Sequence, residues 1–291
     1  MPRLFVVATP IGNLQDLSPR ALETLRTVGF IAAEDTRVTM KLCKVFSIHT
    51  PLVSCHMHNE ESKGRELAER MLRDNVDAAL VTDAGTPCVS DPGHLFVRAC
   101  TDLGIEVLPV PGPVAGASAL SVSGFDCREW KFYGFLPREK KDLRDKLLSM
   151  PGETPVAIVH ESPYRVLELM EAICEVLPEA QVSVSCDLTK LHELTLRGTA
   201  AEVLASMREN PKTEKGEYCL VLELRGCVHK EEASETSPQD MPLELKLLQL
   251  MLSGVTLRDA QAKLVEAGEK KNAVKAAALS IKKGLWEADV W

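Results

Sequence analysis

The chain has 291 residues, 45% of them hydrophobic and 26% charged, with a formal net charge of −8. That length predicts about two domains of ordinary size, and no apolar run reaches the roughly 20 residues of a membrane-spanning helix. The acidic balance argues against a generic nucleic-acid binder held by bulk charge, and nine cysteines without a Cys-x-x-Cys pair argue against a close-spaced zinc site.

The N-terminus, "MPRLFVVATP", has one arginine and an apolar run only as long as a strand. It is too short for a secretory signal, so a cytoplasmic protein is expected. "LFVVA" reads as a buried strand, and "SPRALETLRTV" as a helix with Ser18 at its N-cap and Pro19 in its first turn. "FIAAE" is a strand, "RVTMKLCKVF" a helix and "PLVSC" a strand. "CHMH" (Cys55 to His58) is the one local cluster with metal-like chemistry; it reads as polar residues at a strand end, and no metal is expected. A long helix, "NEESKGRELAERMLRDN", leads to the strand "AALVTD", the helix "PGHLFVRACTDLG", which ends on glycine, and the strand "IEVLPV". This βαβα rhythm over 1–112 predicts a largely parallel sheet with helices on both faces.

The pattern restarts after Pro113. "VAGASALSVSG" is a small-residue helix. "KFYGFLP", "PVAIVHES", "QVSVSCD" and "YCLVLELRG" are strand-like, and "KDLRDKLLSM", "PYRVLELMEAICEVL" and "AAEVLASMRE" are helical. A second α/β domain over 113–226 is therefore expected, followed by a polar linker at 227–241. A small C-terminal domain of two or three helices would close the chain at 242–291. Basic residues gather locally. "PREKKDLRDK" carries five against three acidic, including Arg138, Lys140 and Lys141. Arg258 to Lys283 carries seven against three, including Lys270, Lys271 and Lys275. Such patches suit an enzyme holding one defined site on an RNA, and they equally suit solvated helix faces.

In open parallel sheets, ligands sit at the carboxyl ends of strands. Four loops fit: "TPIGNLQD", "EDTR", "TDAGTPCVSDPG" and "PVPGPVAG". None is a phosphate-binding loop closed by Gly-Lys-Ser/Thr, and none has the G-x-G-x-x-G spacing of a dinucleotide fold. Their prolines remove N–H donors that phosphates would need. They point to an adenosine-type ligand without a phosphate chain, with Asp83 accepting from a hydroxyl or amine; tight turns at the sheet edge are the alternative. Asp91, just before Pro92 and a helix, is expected to be an N-cap.

"VATPIGNLQDLSPRALETL", "AAEDTRVT", "TDAGTPCVSDPG", "VPGP", "SGF", "FYGFLPR", "HESPYR", "LTKLHE" and "KGEY" occur in this order between Leu4 and Gly226. Together they resemble the ribosomal RNA small-subunit methyltransferase I family of the tetrapyrrole-methylase superfamily. The resemblance implies S-adenosylmethionine as donor, held in a cleft between the two α/β domains. It also implies transfer to the 2′-hydroxyl of a cytidine in 16S ribosomal RNA of the small subunit, and a homodimer. Donor contacts are implied for Pro10, Gly12, Asn13, Asp83, Gly85, Thr86, Pro113, Val114 and Ala115. The second domain would add His160, Glu161, Ser162, Gly216, Glu217 and Tyr218.

Glu34, Asp35, Arg37, Lys190 and Glu193 are the catalytic candidates the resemblance singles out. Arg37 and Lys190 would suit phosphate, and Glu34 or Asp35 a proton. Capping by the Glu-Asp pair and a Lys190–Glu193 ion pair are the structural alternatives. Two departures are notable: Cys186-Asp187 stands where the family usually has Arg-Glu, and Val114 where it usually has serine. A small-molecule methylase of the same superfamily and a non-catalytic ribosome- or RNA-binding relative are the rival readings.

Overall fold

A computed structural model describes residues 1–57, 59–211, 213–227 and 242–287. The expected linker, apart from Cys227, lies outside the described residues, as do His58 of "CHMH" and 288–291. Two compact units divide the chain, Met1–Val228 and His229–Trp291.

The first sheet is built from β1 (Arg3–Val7), β2 (Phe30–Ala33), β3 (Leu52–Ser54), β4 (Ala78–Val81) and β5 (Glu106–Val110), in the order β3-β2-β4-β1-β5. All its pairings are parallel. The strands alternate between two cores, as the 2-residue period requires: Phe30 and Ala32 join one apolar cluster, Ile31 and Ala33 the other. Four helices cover it: α1 (Pro19–Thr27), α2 (Thr36–Val45), α3 (Glu60–Asp74) and α4 (His94–Asp102). Ser18 caps α1 by accepting the Ala21 N–H, with Pro19 in the first turn. Asn75, left-handed at φ 50°, ends α3.

The second sheet follows α5 (Ala115–Ser123) and has the order β6-β7-β10-β8-β9. Here β6 (Lys131–Phe135) is parallel to β7 (Val156–Glu161). The last strand, β10 (Tyr218–Glu223), lies antiparallel between β7 and β8 (Gln181–Cys186). Helices α6 (Lys140–Glu153), α7 (Val166–Val176) and α8 (Ala200–Glu209) share one core with Leu220 and Leu222, whereas Ala119 of α5 shares the opposite core with Cys219 and Val221. The edge strand β9 (Leu194–Thr199) is absent from the sequence reading. Its residues are exposed or half-buried throughout, so the pleat leaves no apolar alternation to read.

The second unit contains α9 (Leu243–Leu252), α10 (Leu257–Glu266) and α11 (Lys271–Glu287) around Leu247, Ala260, Leu264 and Val274. Lys270, Lys271 and Lys275 are exposed there. All nine cysteines are free thiols. Burial pushes Cys55 up to about 11 and Cys100 and Cys219 up to about 12, so these act as core residues. Among the described residues no three His, Cys, Asp or Glu side chains are grouped to hold a metal ion, and no helix is long and apolar enough to cross a membrane.

Candidate active site

The loops leaving β1 and β4 are locked together. Thr9 N–H donates to the Gly85 carbonyl at 2.8 Å, and Gly85 N–H returns a bond to Thr9 O at 3.0 Å. Gly85 sits at φ +87°, in the left-handed region that glycine enters without steric cost. Beyond it, Cys88 (φ 67°) and Ser90 (φ 72°) are left-handed despite carrying side chains. Each costs on the order of 1–3 kcal/mol and persists only where the surroundings fix it. The segment between β4 and α4 is thus a rigid, wound turn.

Asp91 does not cap α4, contrary to the expectation from sequence. The N-cap is Gly93, which has no side chain to offer. The exposed amides are satisfied instead by Glu60, 2% exposed, whose Oε1 accepts from Gly93 N–H at 2.8 Å and Leu95 N–H at 2.6 Å. A residue 33 positions earlier in the chain has taken over the cap. Asp91 is thereby released to line a cavity.

That cavity, about 570 Å³, lies between the carboxyl-end loops of the first sheet and the second sheet. Its walls include Gly85, Thr86, Val114, Ala115, His160, Glu161, Ser162, Glu217 and Tyr218, which the structure brings together from distant parts of the chain. Phe132 and Ile158 make much of the surface apolar. The Phe132 and Phe135 rings meet His160 edge-on at 5.1 and 6.0 Å between centroids. Burial pulls the His160 imidazole down, and among the described residues its buried Nε2 has no hydrogen-bond partner. Glu161 Oε1 accepts the Ser162 N–H at 2.7 Å, and Oε2 lies 3.3 Å from Arg165 Nη1. The Tyr218 hydroxyl donates to the Thr213 carbonyl at 2.9 Å.

Pro10, Gly12 and Asp83 line a second cavity of about 330 Å³ instead, which shares Ile11 and Ala84 with the first. Asn13, Pro113 and Gly216 line neither. Asn13 caps the short 3₁₀ turn Leu14–Asp16 and its N–H donates to Thr189 Oγ1 at 2.9 Å. Pro113 O accepts from Thr86 Oγ1 at 3.1 Å. Gly216 packs so closely that a Cβ would lie 2.8 Å from Cys186 Sγ. Gly12 likewise admits no side chain, because a Cβ would stand 2.7 Å from Lys190 Cγ. These positions shape the loops that form the walls.

The catalytic candidates are mostly engaged. Asp35 caps α2 through the Arg37 N–H, and side-chain bonds from Arg37 hold its carboxyl down at about 2. Arg37 is correspondingly committed to Asp35. Lys190 pairs with Asp187 at 2.9 Å and Glu217 at 3.1 Å, whereas Glu193 accepts the Thr189 N–H at 2.9 Å. The expected Lys190–Glu193 pair is therefore replaced, and Asp187, at a departure from the family pattern, is one of the partners. Burial pulls the Lys190 ammonium down, but the two carboxylates override it and leave it raised. Glu34 Oε2 accepts from the buried Thr82 hydroxyl at 2.5 Å. Arg138, Lys140 and Lys141 are exposed at the start of α6.

Two α/β layers with a cleft at their strand ends define a methylase of the tetrapyrrole type, and the model of the Tetrapyrrole (Corrin/Porphyrin) Methylases matches residues 3–204. The fold is shared with diphthine synthase (TM-score 0.59, 11% identity, 79% of this chain and 95% of that one). It is also shared with uroporphyrin-III-C-methyltransferase from Thermus thermophilus (0.51, 17%, 83% and 100%). The chain is 44% identical to "Ribosomal RNA small subunit methyltransferase I" of Bacillus subtilis over 76% of this chain and 74% of that one. It is 40% identical to the protein of the same name from Escherichia coli O157:H7, over 94% and 93%. The chain belongs to the ribosomal RNA small subunit methyltransferase I family.

Proposed function

We propose that this protein transfers a methyl group from S-adenosylmethionine to the 2′-hydroxyl of a cytidine in 16S ribosomal RNA of the small subunit. The observation that carries the reading is the likeness to rRNA methyltransferases over almost the whole chain, 94% at 40% identity. The cytidine and its 2′-oxygen follow from the family resemblance, and so do work in the cytoplasm and pairing as a homodimer.

The larger cavity suits the donor. About 570 Å³ falls within the ~300–1,000 Å³ usual for small-molecule sites. Its apolar walls match an adenine ring, and the orphaned His160 Nε2 offers a polar atom in need of a partner. Gly85, Thr86, Val114 and Ala115 would hold the donor from one side, and His160, Glu161, Ser162, Glu217 and Tyr218 from the other. Bound there, S-adenosylmethionine supplies a methyl group already activated on a sulfonium. The protein's share is alignment, which can supply roughly 7–11 kcal/mol of a barrier. Exposed Lys270, Lys271 and Lys275, with Arg138, Lys140 and Lys141, are the proposed RNA contacts.

His160→Phe keeps the packing on Phe132 and Phe135 and removes the ring nitrogens. Donor affinity measured by calorimetry is expected to fall about 5- to 10-fold, the worth of roughly 1–1.5 kcal/mol for one hydrogen bond. An unchanged affinity would remove His160 from the donor site.

The test of the function is labelled S-adenosylmethionine with small ribosomal subunits that lack their natural modifications, the labelled nucleotide being mapped. Label on a cytidine 2′-oxygen is the expected result. Donor binding without label on the subunit would instead favour a small-molecule methylase or a non-catalytic relative.

A further inference from the structure

Three carboxylates line the larger cavity: Asp91, Glu161 and Glu217. Two of them face a cation. Glu161 lies against Arg165, and Glu217 pairs with Lys190. Asp91 differs. The charged groups that face it are Glu34, from the end of β2, and Asp83, from its own loop, while the Cys88 thiol feels its charge. The Thr82 hydroxyl beside it favours its ionised form.

Thr82 is 2% exposed, and its hydroxyl lies 2.5 Å from Glu34 Oε2, so one buried hydroxyl stands between the two carboxylates. Among the described residues, Asp91 is the cavity carboxylate that faces other carboxylates and no Lys or Arg. The wound backbone at Ser90 (φ 72°) and the close packing of Gly93 on Leu80 fix the carboxylate in place.

We propose that Asp91 is a catalytic residue that takes the proton of the acceptor hydroxyl during methyl transfer, with Thr82 and Glu34 as positioning residues. The inference rests on reading the cavity as the donor site. The hydroxyl oxygen forms a bond to the methyl carbon, the carbon–sulfur bond breaks with its electron pair left on sulfur as a neutral thioether, and the hydroxyl proton goes to Asp91. Protonated Asp91 returns its proton to solvent after product leaves. Burial first, and then the charge of Glu34, push the Asp91 carboxyl up to about 6. At that value it is ionised at neutral pH yet still a useful base.

The other carboxylates suit the task less well. Asp35 is held at about 2 by Arg37, and Glu193 is spent on the Thr189 N–H. Asp83 lines the second cavity and accepts the Asp35 N–H at 3.1 Å.

Two measurements test this. In the first, protein labelled with carboxyl-¹³C aspartate is titrated by NMR without any substrate, and Asp91 is assigned by its loss in Asp91→Asn. A midpoint near 6 is expected. It should rise in Thr82→Val, which loses a bond to the ionised form, and fall in Glu34→Gln, which loses a like charge. A midpoint near 4 that neither variant moves overturns the proposal.

In the second, single-turnover transfer to small subunits is followed against pH, with the wild type establishing turnover. Asp91→Asn should lower the rate at least 100-fold while donor affinity by calorimetry stays within about threefold, and Thr82→Val should move the midpoint of the rate profile upward. A rate within about threefold of wild type, or a rate loss matched by lost donor binding, overturns it. A wild type that does not label subunits counts against the functional reading, and the titration then decides the role of Asp91 alone. Asp91→Asn should also melt no lower than wild type above pH 6. A raised carboxyl favours the fold below its unfolded value near 4, and that contribution is lost as pH rises through 6.

Discussion

Glu60→Ala is expected to lower the unfolding free energy by about 2–4 kcal/mol, the largest effect of a single substitution far from the cavity walls. Glu60 is 2% exposed, and its Oε1 is the acceptor for both amides that open α4. Hydrogen bonds to a charged group contribute roughly 1.5–3 kcal/mol each, and stranding buried N–H groups adds their desolvation. Removing a buried charge offsets part of this. Urea unfolding measures the loss, and Glu60→Gln, which keeps a carbonyl acceptor, should show about half of it. A change under ~0.5 kcal/mol in the alanine variant, the size of an ordinary surface substitution, would mean that the amides find another partner. Because α4 anchors the far end of the Asp91 loop, methyl transfer should fall with stability.

The second large effect is expected at Arg165, just before α7. Its guanidinium faces the Glu161 carboxylate, which is 1% exposed, and a second nitrogen donates to the Pro137 carbonyl at 3.0 Å. Arg165→Met keeps most of the volume and leaves a buried carboxylate uncompensated. Breaking such a pair from one side costs about 3–5 kcal/mol. Glu161 also lines the larger cavity, so donor affinity should drop in the same variant. The double variant Arg165→Met with Glu161→Gln separates the two roles. Stability should recover by more than half, because the stranded charge is gone, whereas donor affinity should stay low. Equal stability of the single and double variants in chemical denaturation would show that the pair does not matter to the fold.

The alternation of strand and helix in the first 112 residues could be read because each parallel crossover is local. Four-residue strands such as "FIAA" and "AALV" are buried on both faces and bounded by helix caps. The second half was legible in its elements but not in its pairing. Antiparallel insertion of β10 between β7 and β8 depends on partners that lie 57 and 32 residues away in the register Tyr218↔Glu161 and Tyr218↔Cys186. Nothing in a local hydrophobic pattern encodes that choice.

The site was legible as a set of loops and not as a set of contacts. The Gly and Pro content of "TDAGTPCVSDPG" marks a rigid turn, and the turn is there. Local rules assigned Asp91 to the helix that follows it, because Asp before Pro is a common cap. The deciding residue, Glu60, sits on another helix and carries no motif. Lys190 has the same history. Its sequence neighbour Glu193 is the obvious partner, yet Asp187 and Glu217 hold it, one from the end of β8 and one from the start of β10. Tertiary partners took precedence over the nearest ones in both places.

The place of β10 at the centre of the second sheet has a consequence for how the protein is made. The first sheet ends at Val110, so everything it needs has left the ribosome less than halfway through synthesis. The second sheet has to wait for Tyr218–Glu223, its central strand and nearly its last segment. Until that strand inserts, β7 and β8 lack their shared neighbour, and the cavity lacks Tyr218 and Cys219 from its wall. Domains generally fold as units from the N-terminus during synthesis. A nascent chain of this protein would thus spend much of its synthesis with a finished first sheet and an unfinished cavity, whose wall is complete only once its third quarter is made.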